Sequence, residues 1–208
     1  MKKFKIHIGT IVPIIIDNID TDVLIPKQFL KVTHKKNFGK NLFYSWRFLD
    51  KKGKIKNKKF ILNLKNYKKS TILIAGKNFG CGSSREHAVW ALQDFGFKVI
   101  ISEKFSDIFY NNSINNNLLL ITLKKKVIKK ILKKIIKNPK VLCKINLKKN
   151  HIQIKKKNYI FKLDKFYRFK LLNGLDQIEI TLQNEKQILK YEKKNFNTFL
   201  LKNRNLYC

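Results

Sequence analysis

The chain has 208 residues, 44% of them hydrophobic, which suits one globular domain with a real core. Its cysteines, Cys81, Cys143 and Cys208, are odd in number and widely spaced with no CxxC pair. That argues against a disulfide framework, for a reducing compartment, and against a zinc or iron–sulfur site made by this chain alone.

The formal net charge of +34 first suggests nucleic acid, because lysines neutralise phosphates. The lysines, however, run along nearly the whole chain, and Lys, Asn, Ile, Phe and Tyr, all with AT-rich codons, are abundant together. Compositional drift at tolerant surface positions explains this better than a nucleic-acid partner, which would favour arginine for bidentate contacts. The arginines are confined to Arg47, Arg85, Arg168 and Arg204. Against a lysine background each marks a place where a fixed planar fork can matter.

In chain order, residues 4–16 have strand character and are broken by Pro13, too short and interrupted for a signal peptide or spanning helix. The protein is expected to be soluble and cytoplasmic, without a membrane partner. Asp17, Asp20 and Asp22 crowd the next loop. Turn chemistry and capping explain such a cluster; a calcium loop lacks its glycine and distal glutamate here, and a third reading has one aspartate orienting a catalytic group from another loop. Pro26 suits the first turn of a short helix. Residues 34–50 are aromatic (Phe38, Phe43, Tyr44, Trp46, Phe48) and include Arg47, as a packed surface loop or a substrate-facing lid; lysine-rich 51–59 is a polar excursion.

Residues 71–75, Thr-Ile-Leu-Ile-Ala, read as a buried strand. Residues 76–92 follow as Gly-Lys-Asn-Phe-Gly-Cys-Gly-Ser-Ser-Arg-Glu-His-Ala-Val-Trp-Ala-Leu, a glycine loop running into a helix. Ser83 and Glu86 fit a capping box that would start the helix at Ser84. A helix N-terminus attracts anions, and here Ser83, Ser84 and Arg85 lie on it. The segment is not a nucleophile elbow, since the second glycine is missing, nor a P-loop, since no Gly-Lys-Ser follows. Cys81 with His87 could imitate a thiol–imidazole pair, but a packed thiol and a structural histidine are the simpler readings. What remains is a serine oxygen beside a guanidinium, able to take a proton from carbon while the arginine holds a carboxylate.

Further on, residues 97–101 form a strand, 105–112 a short helix, 111–117 an amide-rich loop and 118–123 a strand, an alternation that predicts βαβ crossovers with partly parallel pairing. Residues 124–137 are an amphipathic helix with Ile128, Ile131 and Ile135 on one face and lysines opposite; packing on a sheet is preferred to lying on a membrane. Residues 141–163 alternate as an antiparallel meander. Asp164 caps a helix that stops at Asn173-Gly174, residues 178–182 form a final strand or turn, and 186–201 are helical with a fraying tail to Cys208.

The run Asn78-Phe79-Gly80-Cys81-Gly82-Ser83-Ser84-Arg85-Glu86-His87-Ala88 resembles the aconitase superfamily, as do residues 18–26 (Asn-Ile-Asp-Thr-Asp-Val-Leu-Ile-Pro) and 116–119. Residues 27–30, 43–49 and 173–176, with the chain length, make it most similar to the small-subunit family of bacterial 3-isopropylmalate dehydratases. The resemblance implies an α/β fold, the swivelling β/β/α domain with mixed sheets flanked by helices. It implies a single domain over residues 1–208, with a core at about 5–191 and a C-terminal extension at 192–208. It also implies a large-subunit partner carrying a [4Fe–4S] cluster, none bound by this chain, and a hydro-lyase that isomerises 2-isopropylmalate and 3-isopropylmalate in leucine biosynthesis. The alternative it leaves is the small subunit of a related hydro-lyase, of the homoaconitase or citraconate/methylmalate type. By the same resemblance Ser83 is the base, Arg85 binds a substrate carboxylate and supports the Ser83 oxyanion, Ser84 contacts substrate and Asp22 orders the charged network. Leu120 departs from the family, which usually has proline there.

Overall fold

The computed structural model describes residues 3–31 and 37–204, with side chains as far as residue 195. The tail to Cys208 and the start of the aromatic stretch at His34 lie outside the described residues. The chain divides into two compact units, Met1–Gly174 and Leu175–Cys208.

In the first unit the elements run β1 (Ile6–Gly9), β2 (Ile11–Ile14), α1 (Thr21–Leu24), α2 (Tyr44–Arg47), β3 (Ile72–Ala75), α3 (Glu86–Phe95), β4 (Val99–Ser102), α4 (Asp107–Asn115), β5 (Leu119–Thr122), α5 (Lys125–Lys137), β6 (Cys143–Asn146), β7 (His151–Ile154), β8 (Lys157–Ile160) and α6 (Lys165–Asn173). Short 3-10 turns lie at Lys27–Phe29, with Pro26 before it, and at Gly39–Asn41 and Ile61–Asn63. One sheet is parallel, in the order β2-β3-β4-β5; the other is antiparallel, in the order β1-β6-β7-β8. The sheets are thus each of one kind rather than mixed within themselves.

The parallel strands read Ile-Val-Pro-Ile, Ile-Leu-Ile-Ala, Val-Ile-Ile-Ser and Leu-Leu-Ile-Thr because both their faces are covered, which removes the polar alternation of a half-solvated sheet. Val12, Ile14, Leu73, Ala75, Ile100 and Leu120 pack on α3 and α4 in one core. Ile11, Ile72, Ile74, Val99, Ile101 and Ile121 pack in a second core on α5, α6 and the inner face of the antiparallel sheet. The order is therefore sheet, sheet, helices. Pro13 is tolerated because β2 is an edge strand.

The strand expected over residues 4–16 is two strands in two sheets. It breaks at Thr10, and β1 pairs with β6 far along the chain. A Cβ on Gly9 would lie 2.0 Å from Thr71 Oγ1, so the crossing point admits no side chain. The amphipathic α5 buries Ile128, Ile131 and Ile135 in the second core as its pattern demands. Asp164 caps α6 by accepting from the Tyr167 amide, and Gly174 closes it. The helix expected at 105–112 extends to Asn115, so most of the amide-rich segment is helical rather than loop. Ser106 caps it, and Asn112 and Asn116 join its last turn through backbone hydrogen bonds.

In the second unit, residues 178–182 are not a strand but part of helix α7 (Gln177–Leu182). A capping box made by Asp176 and Glu179 starts it. Helix α8 (Glu185–Arg204) follows and runs through residue 191 without a break.

Candidate functional site

The site lies where the ends of β2 and β3 continue, side by side, into loops. The two loops are laced together. The Lys77 amide donates to Asp17 Oδ1 at 2.7 Å, the Asn18 amide to the Lys77 carbonyl at 2.8 Å, the Gly80 amide to the Ile19 carbonyl at 2.7 Å and the Thr21 amide to the Cys81 carbonyl at 2.9 Å. Two glycines make this crossing possible. A Cβ on Gly76 would lie 2.1 Å from the Ile16 carbonyl oxygen, and Gly82 turns the chain at φ 88°. The aspartates of the acidic loop have separate tasks. Asp17 holds the second loop, Asp20 caps α1 by accepting from the Val23 amide at 2.7 Å, and Asp22 remains for the site.

Asp22 and Arg85, far apart in sequence, meet here. Arg85 Nη1 donates to Asp22 Oδ1 at 2.5 Å and to the Ile25 carbonyl at 3.3 Å. The arginine side chain is 14% exposed and the aspartate 52%, so the pair is anchored on one side and open on the other. The other donors of the Arg85 fork have no partner among the described residues. Ser83 and Ser84 are exposed just before α3, and neither hydroxyl has a partner among the described residues. Asp22, at the start of α1, and Ser83, Ser84 and Arg85, in the loop before α3, thus fall on adjoining segments. Their arrangement offers a planar cation to a carboxylate, with two exposed hydroxyls in the residues just before it.

One local expectation fails. Helix α3 begins at Glu86 with Arg85 at its cap and no side-chain capping bond, so Ser83 and Glu86 do not form a capping box. Glu86 turns inward instead: its Oε1 accepts from Asn116 Nδ2 at 2.6 Å and from Trp90 Nε1 at 3.2 Å. Asn116 in turn accepts from Trp90 at 3.1 Å through its side chain, and from Gln93 at 2.7 Å through its carbonyl. This partly buried polar knot joins the start of α3 to the approach of β5. Thr21 is another contributor the sequence reading passed over, although it sits in the motif beside Asp22. Its hydroxyl donates to the Ser83 carbonyl at 2.9 Å.

His87 packs its ring against Phe38 and Trp90, with centroids 5.4 Å and 4.6 Å apart. Cys81 donates its thiol to the Asn18 carbonyl at 3.4 Å, and burial followed by the nearby Asp20 raises its pKa, which disfavours the thiolate. The aromatic stretch goes largely into the core: Phe38, Leu42 and Phe43 are buried there, with Trp46 packed against them. A cavity of about 390 Å³ is lined by Tyr44, Ser45, Phe48 and Leu49 with Gln28, and its lining includes none of Asp22, Ser83 and Arg85.

Among the described residues no group of three or more His, Cys, Asp or Glu could hold a metal ion. Cys143 is fully buried in β6, where burial pushes its pKa up to about 12. The described residues therefore do not fit the thiolate set an iron–sulfur cluster needs. No helix among them is long and apolar enough to cross a membrane.

Residues 1–126 match the aconitase C-terminal domain family. Over 204 residues the chain is 57% identical to a 3-isopropylmalate dehydratase small subunit from Buchnera aphidicola subsp. Pterocomma populeum, covering 98% of each. Over 195 residues it is 53% identical to the protein of the same name from Karelsulcia muelleri, covering 94% of this chain and 98% of the relative. The crystal structure of 3-isopropylmalate dehydratase (leuD) from Methanocaldococcus jannaschii superposes with a TM-score of 0.62 at 26% identity, over 90% of this chain and 99% of that one. With the two-sheet fold and the paired loops in place, the chain belongs to the family of 3-isopropylmalate dehydratase small subunits, within the aconitase superfamily.

Proposed function

We propose that this chain supplies the proton-handling and carboxylate-binding half of a 3-isopropylmalate dehydratase. With a large subunit it interconverts 2-isopropylmalate and 3-isopropylmalate, in leucine biosynthesis and in the cytoplasm, by dehydration and rehydration. The observation that carries this reading is the Arg85–Asp22 ion pair, which brings the two motifs together and leaves the Arg85 fork and the Ser83 and Ser84 hydroxyls open on one face. Family membership favours this enzyme over a basic nucleic-acid-binding protein.

The chemistry asked of the chain is removal of a proton from carbon. A serine oxygen does this only as its anion, so its surroundings must favour negative charge. Arg85 supplies a fixed cation two residues along, and the N-terminus of α3, which begins at Glu86, adds a partial positive charge. Asp22 holds Nη1, so the rest of the fork keeps one orientation toward a substrate carboxylate, and Ser84 adds a hydroxyl contact. In the forward direction Ser83 Oγ takes the proton as the carbon–carbon double bond forms and the hydroxyl departs. In the reverse direction it returns the proton to carbon as the hydroxyl adds to the neighbouring position. A [4Fe–4S] cluster on the large subunit would act as a Lewis acid toward that hydroxyl.

The test is reconstitution. The chain is co-purified with its large subunit and assayed on 2-isopropylmalate, homoaconitate and citraconate. Turnover preferring 2-isopropylmalate, lost in Ser83→Ala, is expected. Preference for either competitor sinks the leucine assignment.

A further inference from the structure

We infer that Thr21 is a positioning residue for the proton transfer: its hydroxyl, through the Ser83 carbonyl, holds the base in place relative to the Asp22–Arg85 pair. The inference rests on the reading of Ser83 as the base.

The lacing between the two loops is carried mostly by main-chain donors as far as Thr21, where the Thr21 amide reaches the Cys81 carbonyl at 2.9 Å; Asn78 Nδ2 donating to Asn18 Oδ1 at 2.9 Å and the Cys81 thiol donating to the Asn18 carbonyl add side-chain links. Past Cys81 the chain turns at Gly82, and the next link is made only by a side chain, with Thr21 Oγ1 donating to the Ser83 carbonyl at 2.9 Å. Gly82 packs on the same spot, since a Cβ placed there would lie 3.5 Å from Thr21 Oγ1 and 3.4 Å from Asp20 Cβ. Thr21 is 2% exposed, whereas Ser83 is exposed. A buried hydroxyl therefore grips an otherwise open residue from below.

The position of Thr21 gives the grip its consequence. It is the first residue of α1 and directly precedes Asp22, so one short segment fixes both the Ser83 backbone and the partner of Arg85. Arg85 has its own restraints in Asp22 and the Ile25 carbonyl. Among the described residues the hydroxyl of Ser83 has none, so its placement depends on its backbone, and that backbone is held on the Thr21 side. Ser83 is an exposed residue, so its carbonyl, released from Thr21, can turn to water and losing the link costs little stability. A displacement of about 1 Å in a reacting group can nevertheless cost about 10²-fold in rate. A merely structural threonine would show the opposite pattern.

Thr21→Val keeps the β-branched shape and removes the hydroxyl; Thr21→Ser keeps the hydroxyl and removes the methyl. Both are purified as the complex with the large subunit and assayed with 2-isopropylmalate beside Ser83→Ala. The expected result for Thr21→Val is a kcat lowered about tenfold, with KM within about twofold, since carboxylate binding stays with Arg85. Thr21→Ser should return kcat to within about twofold of the parent. Undiminished kcat in Thr21→Val overturns the inference. So does a Thr21→Ser variant as slow as Thr21→Val, a KM that rises in step with the loss of kcat, or a Thr21→Val chain that no longer assembles. If Ser83→Ala is itself active, it is the reading of the base that fails; if Ser83→Ala is dead and Thr21→Val is not, only the role of Thr21 fails.

Discussion

Arg47 and Arg85 are two of the few arginines in a lysine-rich chain, and the fold uses them in opposite ways. Arg47 turns inward. Its Nη1 donates to the carbonyls of Gly39, Lys40 and Leu42 at 3.2, 3.2 and 3.1 Å, and its guanidinium lies over the rings of Phe95 and Phe48 at 4.8 and 5.2 Å. Burial lowers its pKa, though from a range so high that it stays charged. Arg85 spends Nη1 on Asp22 and Ile25 and keeps the rest of its fork unpartnered among the described residues. The first cation gives Nη1 to three of the chain's own carbonyls and stacks on two rings, its buried Nε left without a partner among the described residues, and so belongs to the fold. The second is held by a carboxylate that is itself half-exposed, which leaves the pair accessible to a ligand. Arg168 falls with Arg47: its Nε and Nη2 donate to the Leu147 and Lys148 carbonyls at 3.1 and 2.5 Å and tie α6 to the turn after β6.

That contrast can be broken by substitution. The largest effect is expected at the open site, where Ser83→Ala in the complex should lower kcat by about 10²–10⁴-fold, the contribution of a positioned general base, with an unchanged melting temperature. Arg85→Lys should lower kcat/KM by about 10²–10³-fold, because a point charge replaces a fork, again with little effect on stability. Asp22→Asn keeps a hydrogen-bond acceptor for Nη1 but removes its charge, so a smaller loss, about tenfold in kcat/KM, is expected in the same assay. Arg47→Met should do the reverse: thermal or urea unfolding should show a loss of about 2–3 kcal/mol as the carbonyls of Gly39, Lys40 and Leu42 lose their donor, while the folded fraction retains kcat. Arg47→Lys should lie between the parent and Arg47→Met in stability. An Arg47 variant that folds normally but loses activity would erase the distinction between the two arginines.

Much of the site was legible because its residues are consecutive. Residues 78–88 and 18–26 carry their chemistry in their order, and the rarity of arginine drew attention to Arg85. The Glu86–Trp90–Asn116 knot was not legible, because Glu86 in that local sequence is an ordinary capping-box partner and nothing nearby announces Asn116 as its donor. The aromatic stretch was ambiguous for a similar reason. Large rings serve a lid and a core equally well, and Phe38, Leu42 and Phe43 were assigned to the core only by what packed on them.

By itself the sequence determined the local elements whose signals are short in range: the amphipathic α5, the meander β6 to β8, the Asp164 cap and the Gly174 stop. It also determined which chemical groups are on hand. Tertiary structure decided that residues 4–16 divide between two sheets, because pairing of β1 with β6 is a contact across most of the chain that no local pattern encodes. It decided that Glu86 faces Asn116 rather than its own helix cap, and that Asp22 completes Arg85. Periodicity and propensity act over a few residues, whereas the partner that satisfies a buried donor, acceptor or charge is set by which distant segments the two cores bring together.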